Sequence, residues 1–329
     1  MSEKLPIIWI EWGRKVPKYL EHNVQLHNLM FSDVTQYLIS DHKPSGSSIL
    51  ARVKHFPLDE IPSSNLLMRF DEISQKRVEL YSQKNFWIGT TRRFFLLHDF
   101  MQSMGLTQVL HIESDNVMLN LNQLDGLYAA EEWSIAYPMQ SESLGCGSVF
   151  LIREIGGLRS FLEFVLENWA NPKANDMSLL GDFSKNRKIV KILPSWPTSS
   201  IAFDPGAYGK YFLGSDARNF RIPTRQRGVI TSDKTSLLNC MAQTRIVQNS
   251  EANAFSLVVN DQATLMNLHV HSKYIPKKPH QFERFVRRGI SAKRGFFWRT
   301  GKLDFLVVLE RFLSRAFKFR GNPKDIRFR

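Results

Sequence analysis

The chain has only two cysteines, Cys146 and Cys240, and neither lies in a CxxC or zinc-type spacing. That argues against a disulfide framework and a thiolate metal centre, and for reduced cytosolic thiols. No apolar run approaches the roughly 18–20 residues that span a bilayer. The opening segment offers only Ile7 to Ile10 before Glu11 interrupts it, too short for the apolar core of a secretory signal. Internal repeats and low-complexity tracts are missing as well. Glycine is scarce where a phosphate-cradling loop would need it: WIEWGRKVPKY, after the first predicted strand, contains Gly13 alone. These absences describe a globular, cytoplasmic protein with one large α/β domain or two smaller ones.

A charge bias is also missing from most of the chain. Residues 1–276 hold 28 Lys+Arg against 27 Asp+Glu, whereas residues 277–329 hold 16 against 4. The positive charge therefore belongs to a C-terminal segment, and residues 1–276 form a nearly neutral body.

Pro6–Trp12 and Val34–Ser40 read as early strands, and residues 64–83 as a region containing a helix. Thr90 or Thr91 is placed to cap a helix over Arg92–Met104. Phe94, Leu97, Phe100 and Met101 share one face of it, and Gly105 follows its end. A fully apolar strand, Val109–Ile112, comes next, and that succession is an α/β signature. Ile135–Pro138 and Ser148–Ile152 are further strands, Leu158–Trp169 an amphipathic helix, and Lys188–Leu193 a strand. From about 220 to 275 the pattern is short β pieces with turns.

The most informative stretch is GLTQVLHIESDNVML, residues 105–119. Its apolar strand stops at Glu113-Ser114-Asp115-Asn116. Acids at i and i+2 of an extended segment point to the same side, where they oppose each other's ionisation. A hard divalent cation removes that conflict. Ligands of open α/β sheets gather at the carboxyl ends of strands, so a phosphate-bearing ligand on that metal is expected there.

These residues resemble the strand and DxD-type motif of GT-A glycosyltransferases, which move a sugar from a nucleotide-sugar donor to an acceptor. Arg92-Arg93 open the helix preceding the motif strand, where such enzymes often carry an arginine near the donor; cations at a helix start oppose its dipole, a small cost that an anionic ligand would offset. Gly145-Cys146-Gly147-Ser148-Val149-Phe150 is similar to the strand that returns past the donor sugar. Asn175-Asp176-Met177-Ser178-Leu179-Leu180 resembles the acidic element near the reacting carbon. Asn267-Leu268-His269-Val270-His271-Ser272-Lys273 resembles the late histidine segment that completes the metal site. Phe203–Gly214, FDPGAYGKYFLG, is similar to a segment of bacterial polysaccharide-type members. The resemblance spans about residues 6–275. It departs from the family pattern in having Glu113 as first acid and in lacking the longer glycine- and tryptophan-containing motif around the histidines.

The resemblance implies an α/β fold with a Rossmann-like mixed sheet flanked by helices, here followed by a basic helical tail. It implies a metal site of Glu113 and Asp115 with His269 or His271, holding Mn²⁺ or Mg²⁺. The imidazole tilts that choice modestly to Mn²⁺. Trp9, Glu11, Arg92, Arg93, Ser114 and Lys273 are expected around the nucleotide-sugar donor, a UDP-sugar being favoured. Of the two arginines only one can face the site, and Arg93 is preferred. Asp176 is the first candidate for a catalytic carboxylate and Asp204 the second; Asp176 and Asp182 are read as flanking a short turn, and Asp204 as beginning a Pro-Gly element. The acceptor is expected to be a glycan or lipid-linked sugar. In the tail, Phe305, Leu309, Phe312 and Ala316 would share one face of a helix over Lys302–Arg320, edged by Arg311, Arg315 and Lys318. That pattern suits an anionic membrane surface and places the protein at the inner membrane face. Nucleic acid is disfavoured, because the body has no basic bias. The competing readings are a sugar-phosphate nucleotidyltransferase, for which the glycine-rich loop is wanting, and a non-enzymatic basic-tailed adaptor.

Overall fold

The computed structural model describes residues 4–12, 15–44, 53–77, 86–124, 126–127, 132–186, 188–195, 199–213, 244–249, 254–271 and 273–300, with backbone alone at 210–211, 248–249, 254 and 292–300. Cys240, residues 78–83 of the first helical region and the Lys302–Arg320 helix lie outside the described residues.

One mixed sheet organises the domain. β1 (Ile7–Glu11), β2 (Gln36–Ser40), β3 (Lys54–Pro57) and β4 (Val109–Ile112) run parallel, in the order β3-β2-β1-β4. β8 (Val149–Ile152) pairs antiparallel with β4, and β6 (Ile135–Ser141) antiparallel with β8. β7 (Leu144–Gly145) and β9 (Val190–Leu193) both pair with β6. A second, four-stranded sheet takes the order β10 (Ile201–Ala202), β13 (Ala263–Leu265), β12 (Ala254–Val259), β11 (Arg245–Asn249). A two-stranded ribbon of β5 (Asn116–Met118) and β14 (Asn267–His269) joins the two halves of the chain. The expected α/β class, a mixed sheet flanked by helices, is what the chain adopts.

The central strand β4 is apolar but for His111, and both its faces are covered: all four residues are buried, His111 with Nδ1 3.1 Å from Ile8 O. On one side lies a helical layer of α2 (Asn65–Gln75), α3 (Phe86–Met104) and α4 (Ile155–Asn168). Aromatic rings fill the contact, with Phe70 stacked on Phe95 at 4.5 Å and tilted against Trp169 at 5.0 Å. On the other side α1 (Lys18–Met30) buries Leu20, Val24 and Leu26. α5 (Asp176–Phe183), α6 (Tyr208–Leu213) and α7 (Pro279–Thr300) complete the helices.

The α3 boundary differs from expectation. Gly105 does end it, at φ +63°, with Leu106 N–H donating to Met101 O at 2.9 Å, the Schellman closure. The start, however, is Phe86, so Thr90 and Thr91 are interior residues. Burial decides this: Thr91 is fully buried and Thr90 satisfies its hydroxyl on Trp87 O. Tertiary packing outweighs the β-branched residues' weak preference for a cap.

His27 on α1 is fully buried with both ring nitrogens used. Nδ1 faces Asn23 O at 2.9 Å and Nε2 accepts from Met118 N–H at 3.0 Å. Only the neutral Nδ1–H tautomer satisfies both, and burial lowers its pKa from 6.5 to about 4. The unfolded chain therefore binds a proton that the folded chain refuses. Stability rises with pH across that window, and lowering pH from 6.5 to about 4 removes about 3 kcal/mol through this one group. Urea midpoints near neutral pH and at about pH 5 check this. His27→Gln should be less stable at neutral pH and show a flatter pH dependence; an unchanged slope would assign the acid sensitivity elsewhere.

Candidate metal and transfer site

The site forms where β4 ends. Glu113, Ser114 and Asp115 make the turn between β4 and β5, and β14 lies antiparallel against β5 with His269 opposite Asn116. Val270 N–H donates to Asp115 O at 2.7 Å and closes the ribbon. His269 Nε2 then lies 3.2 Å from Asp115 Oδ1 and 3.5 Å from Glu113 Oε2. One ligand atom from each of Glu113, Asp115 and His269 falls within 4.8 Å of the others. The spacing argument for paired acids is thus realised with an imidazole 154 residues away. Of the two histidines, His269 is the one that faces the acids. His271 stacks on it, centroids 4.1 Å apart, but turns Nε2 to Gly206 O at 3.1 Å.

Arg93 is the second organising group. Its guanidinium binds Glu113 Oε1 and, at 3.1 Å, Asp176 Oδ2, with the Arg93 side chain 10% exposed. Glu113 therefore divides its oxygens, one to Arg93 and one to His269. Arg92 does not enter the site: it forms a two-pronged bond to Asp71 at 2.8 and 2.7 Å and lies over the Trp12 ring. Because α3 begins at Phe86, both arginines sit in its second turn, and the helix-dipole mismatch expected at a helix start does not arise.

The electrostatics follow from burial and these contacts. Burial opposes the charge on Glu113 and Asp115, but Arg93 holds the first below its usual range, and His269 holds the second down to about 2. Burial likewise opposes a charged His269, and Asp115 outweighs it, so its pKa is raised well above 6.5. Asp176 goes the other way: burial lifts it to about 6, with Arg93 restraining the rise. Two acids held ionised around a histidine whose Nε2 proton a divalent cation would displace, at oxygen and nitrogen atoms that converge, are a donor set that fits a hard or borderline divalent cation.

Several expected residues have other duties. Asp176 and Asp182 lie in helix α5 rather than flanking a turn, with Asn175 and Ser178 forming a capping box. Asp204 is buried and accepts four backbone N–H groups, from Gly206, Tyr208, Gly209 and His269, at 2.7–2.9 Å. That fills the lone pairs a carboxylate offers, so Asp204 fixes the histidine strand rather than taking a proton. Trp9 is fully buried, its Nε1–H donating to Gln36 Oε1 at 3.1 Å, which leaves no ring face for a nucleotide base. The period of two along β1 sends it into the core on the α1 side. Glu11 is buried at the carboxyl end of β1. Ser114 has its carbonyl held by Asn23 Nδ2 at 3.1 Å, and its hydroxyl is 3.5 Å from Tyr19 Oη. Lys273 takes a left-handed conformation, φ +55°, with Nζ 5.2 Å from the Tyr19 ring centre.

Two residues with no expected role hold the ribbon in place. Asn267 donates to Asn116 Oδ1 and Asp204 O, both at 3.0 Å, and its Oδ1 accepts from Asp204 N–H at 2.9 Å. Asn23 donates to Asn116 O at 2.8 Å. No local pattern marks them: the buried face of α1 also carries Glu21, His27 and Asn28, and β14 is only Asn-Leu-His. Close packing around Asp204 makes a sharp test. A Cβ on Gly209 would lie 2.0 Å from His269 O and 3.0 Å from Asp204 Oδ2. Neither can yield, so Gly209→Ala should cost about 3 kcal/mol and weaken Mn²⁺ binding together. Thermal unfolding and metal titration on one sample check it, and a stable variant with intact metal affinity would contradict the clamp.

No protein-family model matches the sequence, and no curated protein matches it. Among solved structures the chain is similar to mouse xyloside xylosyltransferase 1, with 11% identity over 70% of this chain and 98% of that one and a TM-score of 0.44. It is also similar to the glycosyltransferase GlyE of Streptococcus pneumoniae, with 13% identity over 91% of this chain and 64% of that one, TM-score 0.37. A cytidylyltransferase from Leptospira borgpetersenii gives 10% identity over 66% and 87%, TM-score 0.36. At these scores the chemistry rests on the side chains around Asp115.

Proposed function

We propose that this protein is a metal-dependent glycosyltransferase of the GT-A type, moving a sugar from a nucleotide-diphosphate sugar to a glycan or lipid-linked acceptor in cell-surface polysaccharide synthesis. The observation that supports it most is the convergence of Glu113, Asp115 and His269 at the carboxyl end of the central strand, with Arg93 and Asp176 beside them. Asp115, Glu113 Oε2 and His269 Nε2 would hold Mn²⁺ or Mg²⁺. Such a cation, when bound, supplies Lewis acidity to the diphosphate of a leaving nucleotide. Lys273 is exposed, and its charge helps keep Asp115 ionised, so it is the residue to meet phosphate oxygens that the acids do not. Arg93 fixes Glu113 and Asp176 at once, which keeps Asp176 oriented. With a pKa of about 6, Asp176 is basic enough to take a proton from an acceptor hydroxyl in an inverting transfer. In a retaining transfer it would occupy the far face of the donor sugar. A panel of nucleotide-sugars with and without Mn²⁺, scored for donor hydrolysis and thermal stabilisation, tests the reading. UDP-sugars should respond only with metal, and metal-independent or absent responses across the panel would refute it.

The basic segment 277–329 is proposed to hold the protein at the inner membrane face. Its first part, Lys277 and Lys278 followed by α7, buries Phe282, Val286 and Ile290 against the body, and exposes Lys277, Lys278, Arg284, Arg287 and Arg288. Eight of the segment's 16 basic residues lie beyond Thr300. At about 1 kcal/mol each near an anionic surface, removing them should weaken binding well over tenfold. A variant ending at Thr300, which keeps the buried face of α7, is compared with the full chain in sedimentation with phosphatidylserine vesicles. Equal pelleting would defeat the anchoring proposal.

A further inference from the structure

On the outer side of the helical layer, α2, α3 and α4 flank a half-open cavity of about 450 Å³, within the range of small-molecule sites. None of its lining residues belongs to the acid–histidine centre. His98 lies five residues beyond Arg93 on α3, about 140° around the helix.

The lining is chemically mixed. Arg69 and Arg159 are matched by Glu163 and Glu167, Asn65 and Gln102 add amides, and Leu66 and Leu166 add an apolar patch. The decisive group is His98, which is 2% exposed. Its Nδ1 is 3.1 Å from Asp99 Oδ1, and Asp99 Oδ2 accepts from Ser64 N–H at 2.8 Å. A carboxylate so placed calls for a proton on Nδ1, which leaves Nε2 as an acceptor. That Nε2 is buried and has no hydrogen-bond partner, a costly condition that a donor would relieve.

Ligand classes can be sorted by this. A simple anion brings no donor to Nε2 and meets two glutamates. A cation meets two arginines. A neutral polyhydroxylated molecule supplies hydroxyls that donate to Nε2 and the glutamates and accept from the arginines and amides, with a C–H face for the leucines.

We propose that this cavity is a saccharide-binding site, separate from the transfer centre, in which His98 Nε2 accepts a hydroxyl hydrogen bond. It stands independently of the transferase reading.

The test uses full-length protein labelled with ¹⁵N-histidine. His98→Gln assigns the Nε2 signal; should that variant not fold, the neighbour shift in Gln102→Ala, an exposed position, assigns it instead. Methyl glycosides of glucose, galactose, mannose, rhamnose and N-acetylglucosamine are titrated to tens of millimolar, with inorganic phosphate and glycine as the anion and zwitterion arms. At least one glycoside should shift His98 Nε2 saturably, and Gln102→Ala should weaken that binding about fivefold, the loss of one hydrogen bond. Silence with every glycoside, or a shift with phosphate or glycine alone, overturns the proposal.

Discussion

Asp115→Asn should abolish metal-dependent handling of a nucleotide-sugar while leaving the fold intact. The change keeps shape and removes charge at the acid nearest His269, 3.2 Å away. Without it the donor set has one carboxylate, already shared with Arg93, and the attraction that keeps His269 in place weakens. Loss of about a thousandfold in turnover is expected, the scale seen when one fixed electrostatic contact to a developing charge is removed. Mn²⁺-dependent UDP binding by calorimetry should vanish, and circular dichroism should not change, since Asp115 lies in a turn outside the core. Undiminished Mn²⁺-dependent binding in the variant would remove the acids from the mechanism altogether.

Arg93→Met should be the most destabilising single change at the site. The guanidinium lies between Glu113 and Asp176, whose side chains are 22% and 5% exposed. Removing it strands two acids in a poorly solvated place, and breaking such a pair costs about 3–5 kcal/mol because the remaining charge is uncompensated. Arg93→Lys should recover little, since one ammonium cannot bond both carboxylates in the fork geometry. The informative partner is Asp176→Asn. Combined with Arg93→Met it removes one of the stranded acids, so the double variant should be more stable than the sum of the singles predicts. Strict additivity in urea unfolding would mean that Arg93 stabilises only through Glu113. The glycine at 147 belongs to the same arrangement, since a Cβ there would lie 2.8 Å from Arg93 Nη2.

The parts of this molecule legible in the sequence are those where one local pattern decides the outcome. β4 is apolar but for His111 and buried on both faces, so its existence and its abrupt end at Glu113 could be read directly. Gly105 could be read as a helix terminator because only a left-handed residue closes that turn. Asp204 could not be read: an aspartate before Pro-Gly looks like a turn residue, and its actual partners include His269 N–H, 65 positions on. Trp9 failed for a similar reason. Alternation along β1 shows which residues share a face, but not which face meets the ligand. The start of α3 was missed because Thr91 is held in the helix by burial, which local preference does not register. The 302–320 pattern that suggested lipid lies outside the described residues, whereas Phe282 and Val286 of α7, for which no role was expected, serve the body's own core.

The ribbon of β5 and β14 has a consequence for the life of the chain. Asn116 and Asn267 bond across 151 positions, and among the described residues no shorter-range contact brings His269 to the acids. During synthesis the sheet and its helical layer can assemble while the histidine strand is still unmade. On the proposed function, a nascent chain lacks its histidine ligand, and with it metal-dependent use of a donor, until its last quarter has emerged and docked. Loop closure over such a distance is slow compared with helix formation, so catalytic competence should arrive as the final event of folding, after most of the secondary structure is in place.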